Sequence, residues 1–174
     1  MGKKVISCTL ETQKSITDAI KELRAYKRDF IAKEKKLLEG LAMLGVQEAS
    51  VRFTTAIYDG VNDVNVTLKK IVNGYVIVAS GQAVAFIEFG SGVYHNTGEP
   101  YPESRPAGIV GIGEYGQGKG KRKAWFYKGE PGSNGEVQKN GVVKTRGNPA
   151  AMPMWYASKE MEESVLQLAR EVFG

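Results

Sequence analysis

The chain has 174 residues, of which 42% are hydrophobic and 25% charged, enough for a single domain with its own core. Its formal net charge of +5 and pI of about 9.2 favour partners rich in phosphate or carboxylate. A single cysteine excludes an internal disulfide, and no apolar run near the start is long enough for a signal peptide or membrane span. We therefore expect a protein made in a reducing cytoplasm, without a membrane partner.

Residues 13–44 carry the pattern of one long amphipathic helix. Apolar side chains recur there at steps of three and four residues, with lysines and glutamates between them. Gly45 follows and predicts the end of the helix. Such a helix is roughly 48 Å long, which exceeds what a small sheet covers, so we expect part of it to project, kink or pack on another subunit. The stripe consists of Ile16, Ala19, Ile20, Leu23, Phe30, Leu37, Leu38, Leu41 and Leu44.

A block of strands is predicted after this helix. The segments "SVRFTTAIY" (50–58), "VNVTLKKIV" (64–72) and "YVIVAS" (75–80) are β-prone, and the first two alternate apolar with polar residues. The pair Asn73–Gly74 between the last two is a strong hairpin signal. Three antiparallel strands with one apolar face need a cover, which the amphipathic helix supplies.

The second half is richer in glycine. Residues 83–89 predict a helical turn or a strand, and residues 93–123 predict a long loop excursion. "AWFYKG" (124–129) predicts a short strand that pairs with "VVKT" (142–145), and a C-terminal helix starts at about Pro153. Residues 1–174 therefore predict one α+β domain: an antiparallel sheet covered by a long N-terminal helix and a C-terminal helix, with long glycine-rich loops.

The stretch "GIGEYGQGKGKRK" (111–123) contains the spacing of a dinucleotide-binding loop and nearly that of a P-loop. Gly120 stands where a P-loop needs Ser or Thr to hold magnesium. Both motifs also need a helix immediately afterwards, whose N-terminal amides hold the phosphate, and "GKGKRK" is a poor helix start. We therefore predict no nucleotide and no other cofactor.

Catalytic and metal-binding residues are scarce. His95 is the only histidine, so any Ser/His/Asp or Cys/His site would have to use it, and no nucleophile motif accompanies it. One histidine and one cysteine far apart make a poor set of metal ligands. Glu88 lies inside an apolar run, where an ion pair with a basic residue such as Arg146 explains it more simply than catalysis. We predict that the protein is not an enzyme.

A cluster of basic residues precedes three aromatic residues, which leaves two interpretations open. Cations beside stacking groups suit a sequence-independent DNA-binding protein. Alternatively, the aromatic residues belong to the core of a strand and the lysines only solubilise a loop. The cluster consists of Lys119, Lys121, Arg122 and Lys123, followed by Trp125, Phe126 and Tyr127.

Two segments give the chain a family resemblance. "IEFGSG" (87–92) and "GNPAAMPMW" (147–155), followed by a terminal helix, resemble the head–tail joining family of tailed double-stranded DNA phages, also called tail-completion or neck proteins. The leading amphipathic helix and the β block agree in order. The resemblance thus spans most of the chain, although only those two segments are specific.

The resemblance implies a structural virion protein that assembles into a ring, of six copies, in the neck of a phage or prophage. Its partners would be other copies, a connector or head-completion protein, and tail terminator or tube proteins, with non-specific contact to DNA in the channel. No catalysis is implied. Residues 93–123 are then expected to form an assembly arm, poorly ordered in the free protein. The predicted interface residues are Glu88, Gly90, Gly92, Lys119, Lys121, Arg122, Lys123 and Trp125.

Overall fold

The computed structural model describes residues 5–6, 13–92, 94 and 122–174. The predicted excursion at about 93–123 thus lies outside the described residues, except for Tyr94, Arg122 and Lys123. In chain order the elements are α1 (Gln13–Thr55), β1 (Asn65–Ile71), β2 (Gly74–Ser80), α2 (Val84–Phe89), β3 (Trp125–Tyr127), β4 (Glu136–Val137), β5 (Val143–Thr145) and α3 (Pro153–Phe173). The strands pair antiparallel, so the chain has the α+β fold that its sequence predicts.

Helix α1 is 43 residues long, or roughly 65 Å; it begins at Gln13, as predicted, and runs past its predicted end. It neither ends at Gly45 nor gives way to a strand at residue 50, so both predictions are wrong. Its buried residues are spaced three and four apart, which makes one helical face. The alternation of Val51 and Phe53 is misleading, because Val51 is 53% exposed whereas Phe53 is 2% exposed. The buried face consists of Ala42, Gly45, Ala49 and Phe53.

Gly45 is a close-packing position in the middle of α1. A β-carbon built there would lie 2.5 Å from Cδ1 of Ile77 and 2.5 Å from Sδ of Met161. A residue without a side chain therefore lets α1 approach both β2 and α3. Glycine costs a helix about 1 kcal/mol relative to alanine, and packing on two neighbours offsets that cost here.

Strands β1 and β2 form the predicted hairpin, which lies against α1. Ile71 pairs with Gly74, so the two residues of the tip are Val72 and Asn73, one position before the predicted Asn73–Gly74 pair. The predicted three-stranded sheet is wrong, because its first strand is the end of α1. The sheet has two strands instead.

A second sheet has the order β3-β5-β4. Trp125 lies opposite Thr145, which confirms the predicted pairing of these two segments. Strand β4 lies between these two segments in the sequence, where the sequence predicts no strand. Asp59, in the loop after α1, ties this sheet to the rest of the fold, since its carboxylate accepts hydrogen bonds from the Thr145 hydroxyl and, at 2.8 Å, from the backbone N–H of Asn134.

Helix α3 begins at Pro153, as predicted, and runs antiparallel to α1. Near its start the guanidinium carbon of Arg52 lies 4.1 Å from the ring centroid of Tyr156. At its end the rings of Phe30 and Phe173 lie 5.6 Å apart. The core between α1, α2, α3 and the hairpin is small and consists of Ala49, Phe53, Ala83, Ile87 and Ala157.

The N-terminal part of α1 extends beyond the end of α3. Because Phe173 packs beside Phe30, residues 13–29 have no further turn of α3 alongside them. Every residue from 20 to 32 is exposed. We call residues 13–29 the projecting end of α1. The sequence predicted that part of this helix would project, kink or pack on another subunit. In the protomer, its N-terminal part projects.

Candidate assembly surfaces

The two segments that carry the family resemblance lie against each other in the fold. Ser91 and Asn148 exchange two backbone hydrogen bonds of 2.9 and 3.2 Å. The Ser91 hydroxyl donates to Oδ1 of Asn148 at 2.6 Å, and the Asn148 side-chain amide donates to the carbonyl of Phe86 at 2.8 Å. Asn148 is buried, so its polar groups serve contacts inside the protomer. We call this contact between residues 87–92 and 147–155 the α2–α3 junction.

Glu88 holds the start of α3 at this junction. Its carboxylate accepts hydrogen bonds from the backbone N–H groups of Met154 at 2.9 Å and Trp155 at 3.3 Å. The first N–H groups of a helix lack intrahelical partners, and a negative charge interacts favourably with that end of the helix. Arg146, which we predicted as its partner, forms its ion pair with Glu136. Arg146 is thus not the partner of Glu88, whose carboxylate contacts these two backbone amides.

Two glycines let the segments of the junction approach each other. Gly90 has a φ of 72°, and a β-carbon there would lie 2.7 Å from the backbone nitrogen of Ala150. Gly147 has a φ of 82°, and a β-carbon there would overlap the carbonyl oxygen of Ser91. Glycine is the residue that adopts positive φ at no steric cost. Both positions are therefore explained by close contact between backbones.

Three of the predicted interface residues belong to this junction and are buried: Glu88, Gly90 and Gly92. Gly92 lies against Trp125, since a β-carbon would come within 3.0 Å of Cζ3 of the indole. Their arrangement gives them a structural task, which is to fix α2, α3 and the second sheet relative to one another. A further role of these residues between subunits stays a prediction.

The predicted basic arm falls only partly within the described residues. Lys119 and Lys121 lie outside them. Arg122 and Lys123 are exposed, and Trp125 is half-buried in β3. The structure therefore brings Trp125 to the junction through Gly92, while the two described cations remain on the surface.

The projecting end of α1 presents an apolar stripe to solvent. Ile16, Ile20 and Leu23 are 37%, 44% and 55% exposed, and their spacing of four and three residues puts them on one face. Tyr26 and Phe30 continue the stripe towards α3. Single exposed leucines are ordinary, but a contiguous apolar stripe without a cover indicates an interaction surface. The predicted interface residues did not include these, although their spacing was visible in the sequence.

A groove of about 860 Å³ lies where α1, β1 and α3 meet. We call it the α1–α3 groove. Its apolar lining includes Met43, Leu44, Val46, Leu68 and Leu168, and its remaining residues are Gly40, Gln47, Ser164, Gln167, Glu160 and Glu171. Within the described part of the chain, the two glutamates are the only charged residues that line it.

Shifted pKa values occur at the loop after α1. Burial raises the pKa of Tyr58, and the carboxylates of Asp63 and Asp59 raise it further. The backbone N–H groups of Gln82 and Ala83 donate to Asp63 at 2.8 and 2.9 Å and lower the pKa of its carboxyl group. These contacts tie the loop to the start of α2, which is a structural task.

Within residues 5–6, 13–92, 94 and 122–174, no group of three or more His, Cys, Asp or Glu side chains is placed to hold a metal ion. In the same part of the chain, no helix combines the length and hydropathy needed to cross a membrane. His95 lies outside it. Comparison of the chain with protein-family models, with curated proteins and with solved structures gives no significant match.

Proposed function

We propose that this protein is a structural subunit of the neck of a tailed double-stranded DNA phage or prophage, where copies form a ring between connector and tail. The observation that carries the proposal is the exposed apolar stripe of Ile16, Ile20 and Leu23, which no other described part of the chain covers. A subunit of a ring needs a surface that its own fold leaves open and a neighbour covers. The proposed ring has six copies, acts without catalysis and resides in the virion.

The α2–α3 junction supports the choice of family. The two resembling segments are far apart in sequence, yet Ser91 and Asn148 join them by reciprocal hydrogen bonds. Two segments that form one contact share a structural reason for occurring together. Their joint resemblance is therefore one observation about a common scaffold rather than two unrelated matches.

Sequence-independent DNA binding is the alternative function, and Arg122 and Lys123 are the described residues that favour it. Both are exposed and precede a strand with aromatic residues. Binding of this kind depends on phosphate contacts and weakens steeply with added salt. The apolar stripe favours the ring, because phosphate binding gives Ile20 and Leu23 no role.

Electron microscopy of particles that carry this chain tests the proposal. A gold-binding tag after the exposed Gly174 should place label at the neck, between capsid and tail. Untagged particles provide the control. Label on the capsid surface or at the tail tip, away from the neck, would contradict the proposed function.

A measurement of duplex DNA binding by the purified protein distinguishes the alternative function from the ring. If DNA binding is the main activity, affinity should fall at least about a thousandfold between roughly 50 and 200 mM salt. It should also weaken when Arg122 and Lys123 are both changed to alanine. Tight, salt-sensitive binding together with absence of the chain from the neck would favour the alternative over the ring.

A further inference from the structure

The α1–α3 groove has the features of a binding site for an amphipathic helix. Its apolar lining runs along α1 from Gly40 to Gln47 and is closed by Leu68 of β1 and Leu168 of α3. Met43 on its wall is 61% exposed, so a large apolar side chain faces solvent there. Apolar grooves of this kind accept helices whose anchors recur at steps of three, four and seven residues.

The projecting end of α1 matches this groove in length. Ile16 and Leu23 are seven positions apart, and Gly40 and Gln47 on the groove wall are also seven positions apart. At 1.5 Å per residue both are roughly 10 Å long. Three apolar anchors can therefore lie along the wall without leaving it.

The charges of the two surfaces are complementary. Arg24 follows Ile20 by four residues and borders the apolar stripe, and Lys27 follows Leu23 by four and lies on the face of the stripe one turn further along. The charged groups of the groove are the carboxylates of Glu160 and Glu171. The acidic residues of the projecting end point away from its stripe at 100° per residue, and they are Asp18, Glu22 and Asp29.

The groove of a protomer is out of reach of its own projecting end. Leu23 and Met43 belong to the same continuous helix, 20 residues apart, which separates them by roughly 30 Å. A contact between a projecting end and this groove therefore requires a second copy.

We propose that the projecting end of α1 in one copy lies in the α1–α3 groove of the next, with Arg24 and Lys27 facing Glu160 and Glu171. The contact joins two different surfaces, so it repeats from copy to copy and closes into a ring when the rotation allows. The inference rests on the proposed function and names the interface by which its ring assembles.

Charge reversal in two matched variants tests the pairing. One variant carries Arg24→Glu and Lys27→Glu, and the other carries Glu160→Lys and Glu171→Lys. Each alone should self-associate at least about tenfold more weakly than the wild type at low salt, because like charges then face each other. An equimolar mixture should recover assembly, since each projecting end finds an oppositely charged groove. Unfolding midpoints of both variants equal to that of the wild type would show that their fold is intact.

Cysteine cross-linking gives a second readout in a chain with Cys8→Ser. With Leu23→Cys and Met43→Cys, mild oxidation should yield a ladder of covalent multimers, because the two sites meet only between copies. The control pairs Leu23→Cys with Val72→Cys at the hairpin tip, which is 97% exposed and lies outside the groove. A ladder of equal yield in the control would overturn the assignment.

The outcomes separate this inference from the proposed function. Wild-type assembly that neither charge reversal weakens, or a mixture that does not recover, overturns the groove contact while leaving a ring intact. A chain that remains monomeric at its highest soluble concentration also overturns the contact. Label away from the neck in electron microscopy overturns the proposed function, even if the groove contact forms.

Discussion

The α2–α3 junction and the projecting end of α1 are built on opposite principles. At the junction, polar groups are buried and satisfied: Asn148 and Ser91 bond to each other, and Glu88 bonds to two backbone amides. At the projecting end, apolar groups such as Ile20 and Leu23 are exposed. Buried polar groups require partners, and exposed apolar stripes gain free energy from being covered. The first region therefore completes the protomer, and the second leaves it incomplete.

The comparison predicts that stability and the proposed assembly depend on different parts of the chain. Changes at the junction should lower the free energy of unfolding, because they disturb close backbone contacts. Changes at the projecting end should leave that free energy nearly unchanged and alter association between copies.

The largest expected effect on stability is that of Gly147→Ala. The new β-carbon would overlap the carbonyl oxygen of Ser91 at a positive φ, so we expect a loss of about 4 kcal/mol in the free energy of unfolding. Gly141→Ala is the matched control, because Gly141 has a similar φ of 73° but no atom within 4 Å of the added carbon. It should cost only about 1 kcal/mol. Urea unfolding of both variants measures the difference, and equal losses would show that the junction is not tightly packed.

Glu88→Ala should have the next largest effect. It removes the acceptor of the Met154 and Trp155 amides at the start of α3, with an expected loss of about 2–3 kcal/mol. Glu88→Gln keeps one acceptor oxygen and should lose roughly half as much.

The control for Glu88 is Glu162→Ala. Glu162 forms an exposed ion pair with Lys159 at 2.9 Å, so its removal should change the free energy of unfolding by less than about 0.5 kcal/mol. Thermal or urea unfolding compares the three variants. If Glu88→Ala were as mild as Glu162→Ala, Glu88 would not hold α3.

Substitution of Asp63 should have a smaller effect on the free energy of unfolding, and this effect should depend on pH. Its pKa is lowered in the folded state by the amides of Gln82 and Ala83, so the unfolded chain takes up its proton first on acidification. The stabilising contribution of the carboxylate is present above the unfolded pKa and is lost as the pH falls through the folded one. Asp63→Asn should therefore flatten the acid limb of the stability profile below about pH 5. An acid limb identical to that of the wild type would contradict this assignment.

Local signals in the sequence predicted the two long helices and the β1–β2 hairpin. The steps of three and four residues found α1, Pro153 marked the start of α3, and the β-prone runs found the β1–β2 hairpin. These signals are local, since each depends on spacing within a single element. The α+β class followed from them.

Where α1 ends and which groups Glu88 contacts depend on tertiary packing, which local sequence signals do not show. Gly45 has the character of a helix end, yet the close approach of Ile77 and Met161 makes it an interior residue. The segment 50–55 alternates like a strand, yet only Phe53 of its apolar residues is buried. Glu88 accepts hydrogen bonds from two backbone amides, and backbone amides carry no side-chain signal in the sequence.

For the same reason, the sequence revealed only part of the two proposed assembly surfaces, the projecting end and the groove. The apolar stripe of the projecting end could be read from its spacing, but its exposure depends on where α3 ends beside Phe30. The groove joins residues of three elements and has no signature in any one of them.

The self-association of wild type and Leu23→Glu, measured as molecular mass against concentration, tests the central claim most directly. We expect the wild type to form multiples of 19.0 kDa, and the variant to remain at 19.0 kDa with an unchanged unfolding midpoint, because Leu23 is 55% exposed in the protomer. A wild type that is monomeric at every concentration, or a variant that associates equally well, would contradict the claim that the projecting end of α1 is an assembly surface.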